Sequence, residues 1–372
     1  MKIGLVGYGK MGSEIFSVLF DSLKDTEFTV VSLYDLEKSR ESVEKLLAKQ
    51  LKRKRLTQEA YDAKLGSFSF TDDYNALSDC DAVIECAFED MTVKKDIFTK
   101  LAAIVSPECL LLTNTSSLDI AEIFRDIPDT ERCLGMHFFY PVKLSGFVEL
   151  NYLPENTADV LDKAEFLITA TGKRALRFAG DYHIYLNQIL ALCISHSILI
   201  AKNAGASAEQ FDKAVSEIFP FAGPFSIINT VGLGLLTKSP EGFRIARNSS
   251  LLKYGSDTMN EWLDNGCPGE TGMFLDYMKE NQNTADCDTS GFADSVLAVV
   301  MNAAVFAALE SGCEKEALLD AVCDVLGLSG KLSDYYQSMG YEKIKAVLDR
   351  LSDETKFEVY KAADKADFDK IY

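Results

Sequence analysis

Near the start of the chain, Gly7-Tyr8-Gly9-Lys10-Met11-Gly12 has the spacing Gly-x-Gly-x-x-Gly, directly after the apolar run Lys2–Val6 and ahead of Ile15, Phe16 and Leu19. Glycines so spaced allow a tight turn, close approach of the backbone to a pyrophosphate, and close packing of a helix on its strand. A helix opening there also aims unpaired N–H groups at phosphate. Asp35 follows the next apolar run, Val30-Val31-Ser32-Leu33-Tyr34. A carboxylate at that place accepts hydrogen bonds from ribose hydroxyls, and it repels a 2′-phosphate by about 1–4 kcal/mol at ~4 Å. The expected cofactor is therefore NAD rather than NADP, although Lys38 and Arg40 nearby pull the other way. The plain alternative is a structural turn followed by a solvated acid. Strand, glycine spacing and acid together favour a nucleotide site with Gly7, Gly9, Lys10, Met11, Gly12 and Asp35 as its residues.

Redox chemistry on such a cofactor needs a proton acceptor near neutrality, and histidine is the side chain suited to it. The chain has three: His137, His183 and His196. His137 ends the apolar run Cys133–His137, and open α/β sheets bind ligands at the carboxyl ends of their strands. Taken alone, a histidine at a strand end is more often structural than catalytic.

The elements that must hold these residues follow from periodicity. Short apolar runs at Lys2–Val6, Thr29–Tyr34, Phe68–Phe70, Ala82–Cys86, Leu110–Asn114, Cys133–His137, Val148–Leu150 and Ala175–Phe178 are separated by helix-length segments. That pattern predicts βαβ units and a mostly parallel sheet. From about Leu36 to Leu65 it predicts a helical hairpin broken near Leu56-Thr57, with Thr57 capping the second helix. After about residue 180 helical periodicity takes over. Ile184–Ala204 and Phe292–Leu309 are apolar enough to be buried helices. The segment from about Pro240 to Ser290 reads as loops with short helices, and Thr355–Tyr372 as a charged surface helix. The expected fold class is an α/β Rossmann domain with a helical-hairpin insertion, over 1–180, then an all-α carboxy-terminal part.

Composition narrows the function. The 372 residues include 47% hydrophobic ones and carry a formal charge of −19, which disfavours general binding to nucleic acid or anionic membrane. No apolar run is read as reaching the roughly 18 uncharged residues of a membrane helix, and the strand at Lys2 leaves no room for a leader. Nine cysteines without a Cys-x-x-Cys pair point to a reducing, cytoplasmic compartment and away from a zinc site. No metal is expected.

The segment Asn114-Thr115-Ser116-Ser117-Leu118, then His137-Phe138-Phe139-Tyr140-Pro141-Val142 and Phe147-Val148-Glu149, resembles the L-3-hydroxyacyl-CoA dehydrogenase family. Val83-Ile84-Glu85-Cys86-Ala87-Phe88-Glu89 and Val93-Lys94-Lys95-Asp96-Ile97-Phe98 match the same pattern. The resemblance covers the Rossmann part almost without gaps and continues more weakly beyond it. It implies oxidation of the 3-hydroxyl of a coenzyme A thioester by NAD, in fatty acid metabolism. His137 would be the general base, and Glu149 would accept its second ring N–H. Ser116 and Asn187 would hydrogen-bond the substrate oxygen. Glu89 and Lys94 would lie near the nicotinamide ribose, and Asn114 would also belong to the cofactor site. Each has a plainer reading: Ser116 as the cap of a helix over Leu118–Phe124, Asn187 as a buried amide, Glu89 as a loop acid.

Lys45, Lys49, Lys52, Arg53, Lys54 and Arg55 form the one dense basic cluster in this acidic chain. The resemblance places the CoA nucleotide near that hairpin, with Lys49, Lys52, Arg53 and Lys54 as its contacts; otherwise the cluster is a solvated helix face. The chain departs from the family at Tyr140, where Asn is usual, at Tyr182-His183-Ile184 in place of Pro-Gly-Phe, and at Gln188 in place of Arg. These departures bear on the acyl pocket. The competing readings are a dehydrogenase of a CoA-free hydroxy acid and a catalytically silent NAD-binding protein. Phe292–Leu328 resembles a degenerate second copy of the family's helical domain, so the resemblance implies a duplicated all-α part and domains 1–180, 181–239 and 240–372. The expected partner is an acyl-CoA, and the expected state a monomer or homodimer, the implied duplication favouring the monomer.

Overall fold

The computed structural model describes residues 1–180, 184–237, 249–282 and 286–372. The chain divides into two compact units, 1–182 and 183–372. The boundary expected at 239/240 lies outside the described residues.

The first unit runs β1 (Lys2–Val6), α1 (Lys10–Ser22), β2 (Glu27–Val31), α2 (Leu36–Lys52), α3 (Gln58–Gly66), β3 (Phe68–Thr71), β4 (Ala82–Glu85), α4 (Met91–Ile104), β5 (Leu110–Thr113), α5 (Ile120–Phe124), β6 (Cys133–Phe138), β7 (Phe147–Tyr152), α6 (Ala158–Thr169) and β8 (Arg174–Ala179). The strands form one sheet in the order β3-β2-β1-β4-β5-β6-β7-β8. Every pairing is parallel except β6 with β7. Strands buried on both faces must be nearly all apolar, and β1, β4, β5 and β6 are buried almost throughout. One core, around Phe16, Phe20, Phe28 and Phe68, lies under α1 and the hairpin; another, around Phe98, Leu101 and Phe124, lies on the opposite face. The order reverses between β1 and β4, so the loops after these strands flank the crevice where such sheets bind ligands. The hairpin breaks as expected: Thr57 caps α3 by accepting from Ala60 N at 3.2 Å.

Among the described residues the second unit is all-helical: α7 (Tyr185–Ala204), α8 (Ala208–Ala214), α9 (Pro224–Val231), α10 (Leu233–Leu236), α11 (Ser249–Asp264), α12 (Phe274–Asn281), α13 (Phe292–Ser311), α14 (Lys315–Leu326), α15 (Leu332–Met339), α16 (Tyr341–Thr355) and α17 (Lys365–Ile371). Two series of elements recur in the same order. The 20-residue α7 ends on left-handed Gly205 before α8, and the 20-residue α13 ends on left-handed Gly312 before α14. The eight-residue α9 ends on Gly232 and the eight-residue α15 on Gly340, both at positive φ.

Three expectations need correction. Both α7 and α13 are long and apolar enough to cross a membrane by length and composition, contrary to the estimate that no run reaches that length. Each is largely buried inside the unit, which accounts for its apolar character without a bilayer. The segment 240–290 contains the 16-residue α11, which is polar overall yet buries Leu251, Leu252, Gly255, Thr258 and Met259 on one face. Gly255 is required there, because a Cβ would stand 2.2 Å from Ser195 Oγ on α7. The tail is not a surface helix either. Tyr360 and Phe368 are fully buried, and Tyr372 donates to Met301 O at 2.9 Å.

Candidate active site

The glycine loop has the shape a dinucleotide needs. Gly7 has φ +95°, and a Cβ on it would meet Cys86 O at 2.7 Å. A Cβ on Gly12 would stand 2.2 Å from Gly7 O, so the third glycine lets α1 sit against the loop. Gly9 is the N-cap of α1, with nothing within 4 Å of its Cβ position. Its bare backbone therefore faces open space beside the helix N-terminus, with Lys10 and Met11 opening that helix.

Asp35 is the left-handed N-cap of α2, and its carboxylate caps no N–H of the helix. It lines a groove of about 550 Å³ with Leu33, Leu36, Glu37, Lys38 and Glu41. Asp35 and Glu37 outweigh Lys38 here, while Glu41 is paired with Lys45 at 2.7 Å, so the groove is an unfavourable place for a 2′-phosphate. Arg40 is engaged with Glu44 at 2.9 Å.

His137 and Glu149 come from β6 and β7 and face each other directly across the antiparallel pairing. His137 Nδ1 lies 3.1 Å from Glu149 Oε2, with the histidine 5% exposed and the glutamate 0%. A carboxylate at that distance is an acceptor for an Nδ1–H, an arrangement that leaves Nε2 outside the pair. Phe139 packs edge-on against the imidazole, ring centres 4.5 Å apart.

Ser116 lies in the turn after β5, which a network of charges organises: the buried Glu85 and Lys94 and the more exposed Glu89. Glu89 Oε1 accepts from Ser116 N at 2.7 Å, Ser117 N at 2.9 Å, Thr115 Oγ1 at 2.7 Å and Ser116 Oγ at 3.2 Å. Asn114 Oδ1 accepts from Phe138 N at 2.9 Å, which joins this turn to the residue after His137. Burial alone would raise the Glu89 carboxyl; the Lys94 ammonium and the bonds from Thr115, Ser116 and Ser117 outweigh it and hold it below its ordinary value. Lys94 is 1% exposed, and its ammonium meets Glu85 at 2.8 and 2.9 Å and Glu89 at 3.3 Å. Burial would lower its pKa, but the two carboxylates raise it. Ser116 does not cap α5; Asp119 does, accepting from Glu122 N at 3.0 Å.

Sequence reasoning missed Glu85, Thr113 and Thr115 in this network. It also missed Glu14, which accepts from Val142 N at 2.7 Å and ties α1 to the loop after β6. The available signal was a lone acid closing the otherwise apolar β4. Tyr140 lies beneath the Lys10 ammonium, 3.8 Å from its ring centre. Asn187 is on the first turn of α7 in the helical unit. Of the Tyr182-His183-Ile184 departure, the first two residues lie outside the described ones.

In the basic cluster, Lys45 pairs with Glu41 at 2.7 Å. Lys49, Lys52, Arg53, Lys54 and Arg55 are exposed, without a carboxylate partner among the described residues. They cluster at the end of α2 and in the turn to α3.

Comparison with known proteins agrees with this geometry. The family described as 3-hydroxyacyl-CoA dehydrogenase, NAD binding domain, matches residues 2–182. A 3-hydroxybutyryl-CoA dehydrogenase of Mycobacterium tuberculosis is 32% identical over 240 residues, 63% of this chain and 83% of the relative. A glyoxysomal fatty acid beta-oxidation multifunctional protein of Cucumis sativus is 25% identical over 291 residues, 78% of this chain and 38% of its own. The crystal structure of a 3-hydroxybutyryl-CoA dehydrogenase from Escherichia coli K12 has the same fold, with TM-score 0.82 at 18% identity over 100% of this chain and 98% of that one. The chain belongs to the 3-hydroxyacyl-CoA dehydrogenase family, and its amino-terminal unit is that family's NAD-binding domain.

Proposed function

We propose that this protein interconverts an (S)-3-hydroxyacyl-CoA and the corresponding 3-ketoacyl-CoA with NAD, using His137 as general base oriented by Glu149. The observation that carries this reading is the buried cross-strand pair His137–Glu149, at 3.1 Å, on the same sheet as an open glycine loop. NAD, when bound, supplies the hydride acceptor. In the oxidation direction His137 Nε2 takes the hydroxyl proton as the hydride leaves C3. Glu149 keeps the proton on Nδ1 and stabilises the imidazolium that forms. Ser116 Oγ, which donates to Glu89 in the free protein, would turn its one O–H to the substrate oxygen, and Asn187 would be the second donor. In the reduction direction the imidazolium returns its proton to the carbonyl oxygen. Glu89 would hold the nicotinamide ribose, with Lys94 acting through it, and Asn114 holds the turn against β6.

Lys49, Lys52, Arg53 and Lys54 are the contacts for the phosphates of CoA. Unpaired cations on an acidic molecule favour a nucleotide thioester over a CoA-free hydroxy acid. We read the helical unit as two copies, 181–239 and 240–372, on the recurrence of α7–α9 in α13–α15. The second copy would fill the surface that single-copy members use to dimerise. A monomer in light scattering is expected, and a stable dimer would contradict it. The nine free cysteines favour a reducing, cytoplasmic setting.

The test of the reaction is His137→Gln with saturating NADH and thioester. A fall in kcat of about 10² to 10⁴ is expected for a general base; an unchanged kcat removes His137 from the mechanism.

A further inference from the structure

Glu85 closes β4 at the centre of the sheet and is 0% exposed. Every contact of its carboxylate is internal. Oε1 accepts from Ala87 N at 2.6 Å and Lys94 Nζ at 2.8 Å. Oε2 accepts from Lys94 Nζ at 2.9 Å and Thr113 Oγ1 at 2.7 Å. A carboxylate so engaged offers nothing to a ligand, yet burying an acid is costly unless it is paired and hydrogen-bonded. A leucine would close β4 at less expense.

Two routes lead from this carboxylate to one place. Along the first, Thr113 donates to Glu85 and its Oγ1 accepts from Thr115 N at 3.3 Å. Along the second, Lys94 bridges Glu85 to Glu89, and Glu89 takes the backbone N–H groups of Ser116 and Ser117. Both end on the turn 115–117. Asn114, between Thr113 and that turn, takes Phe138 N beside His137. The turn is thus held at both ends by groups anchored on Glu85, and its register to β6 is set by Asn114. Without Glu85, Lys94 keeps a single carboxylate partner and Thr113 Oγ1 loses its acceptor.

We infer that Glu85 is a positioning residue for the reaction, holding Ser116 in line with His137 through Thr113 on one side and Lys94–Glu89 on the other. The inference rests on the proposed role of Ser116 at the substrate oxygen. It predicts that substitution of Glu85 acts on the chemical step rather than on ground-state binding of the thioester, which Glu85 does not touch; any effect on NADH binding would pass through Lys94 and Glu89 and is removed by saturating NADH.

The test is a double-mutant cycle on the full chain, read as kcat for reduction of acetoacetyl-CoA by NADH. Ser116→Ala alone tests the underlying reading: a wild-type kcat overturns the role of Ser116 and this inference with it. Given a low kcat there, Glu85→Gln is expected to lower kcat at saturating NADH by about 10², the cost of an ångström-scale misplacement, with KM for acetoacetyl-CoA within about twofold. Combined with Ser116→Ala, it should add almost nothing, because the group it positions is gone. A merely structural loss lowers the active fraction, so it would multiply with Ser116→Ala; that result overturns the inference. Thr113→Val covers the case in which Glu85→Gln fails to fold. It removes one hydrogen bond to Glu85 at nearly constant volume and should cost about fivefold in kcat, again lost in the Ser116→Ala background. Multiplying losses in this second cycle also overturn it.

Discussion

His137 and Glu149 face each other across the one antiparallel junction among the described strands, Nδ1 to Oε2 at 3.1 Å, both buried. In an antiparallel pair, opposed residues lie on the same face with side chains within reach of each other. The direction of β7 therefore places the carboxylate against the imidazole by backbone register. Glu149→Gln keeps the shape but allows the amide to donate to Nδ1, favouring the other tautomer. A loss in kcat of about 10² to 10⁴ is expected, with KM nearly unchanged, measured in steady-state turnover. A loss confined to KM would mean that Glu149 binds substrate instead.

Asp35 should decide the nucleotide. In Asp35→Ser the repulsion of a 2′-phosphate and the acceptor for the ribose hydroxyls are both lost. The ratio of kcat/KM for NADH over NADPH should fall about tenfold or more. Glu37 and Glu41 remain in the groove, so a full reversal is not expected.

The exposed cations at the end of α2 make a binding prediction without a catalytic one. Replacing Lys49, Lys52 and Arg53 together by Gln should raise KM for acetoacetyl-CoA by about tenfold or more at low salt, with kcat unchanged. The difference from the unmodified protein should shrink as salt is added. A KM unaltered by the triple change would assign the cluster to helix stability, since Lys49 and Lys52 also sit in the last turn of α2, where cations offset the helix dipole.

His196 gives the helical unit a pH dependence. It is 0% exposed between Tyr360 OH at 2.8 Å and Ser295 Oγ at 2.9 Å. Burial, with a smaller contribution from Arg350, pushes its pKa down to about 3. Unfolded, the imidazole titrates near 6.5. Between those values the unfolded chain binds the extra proton, so stability falls as the pH drops from about 6.5 towards 3, by roughly 1.4 kcal/mol per unit. In His196→Gln that part of the slope should vanish from thermal melts taken between pH 6.5 and 4.5. An unchanged slope would place the acid sensitivity elsewhere.

Much of the Rossmann unit was legible because buried parallel strands must be continuous apolar runs, and all eight were located to within a few residues. The glycine loop and the place of His137 were legible because spacing and a strand end carry them directly. The partner geometry was less so. That Glu149 meets His137 depends on β7 running antiparallel, which local pattern does not encode. Glu85 reads as the end of a strand until β4 is laid beside β5 with Thr113 in register and Lys94 packed over both. In the helical unit, α11 was hidden because its buried face includes the polar Thr258 and Gly255, the latter kept small by the approach of Ser195 on α7. Tyr360 and Phe368 lie among charged neighbours in the tail, so composition alone suggested a surface.

The most direct test of the proposed reaction is NADH consumption with acetoacetyl-CoA, compared with acetoacetate at the same concentration. Fast turnover of the thioester, with acetoacetate slower by at least about tenfold, is expected if the cations of the hairpin recognise CoA. Equal turnover of the two would contradict recognition of CoA, and turnover of neither by protein that still binds NADH would contradict the proposed dehydrogenase activity.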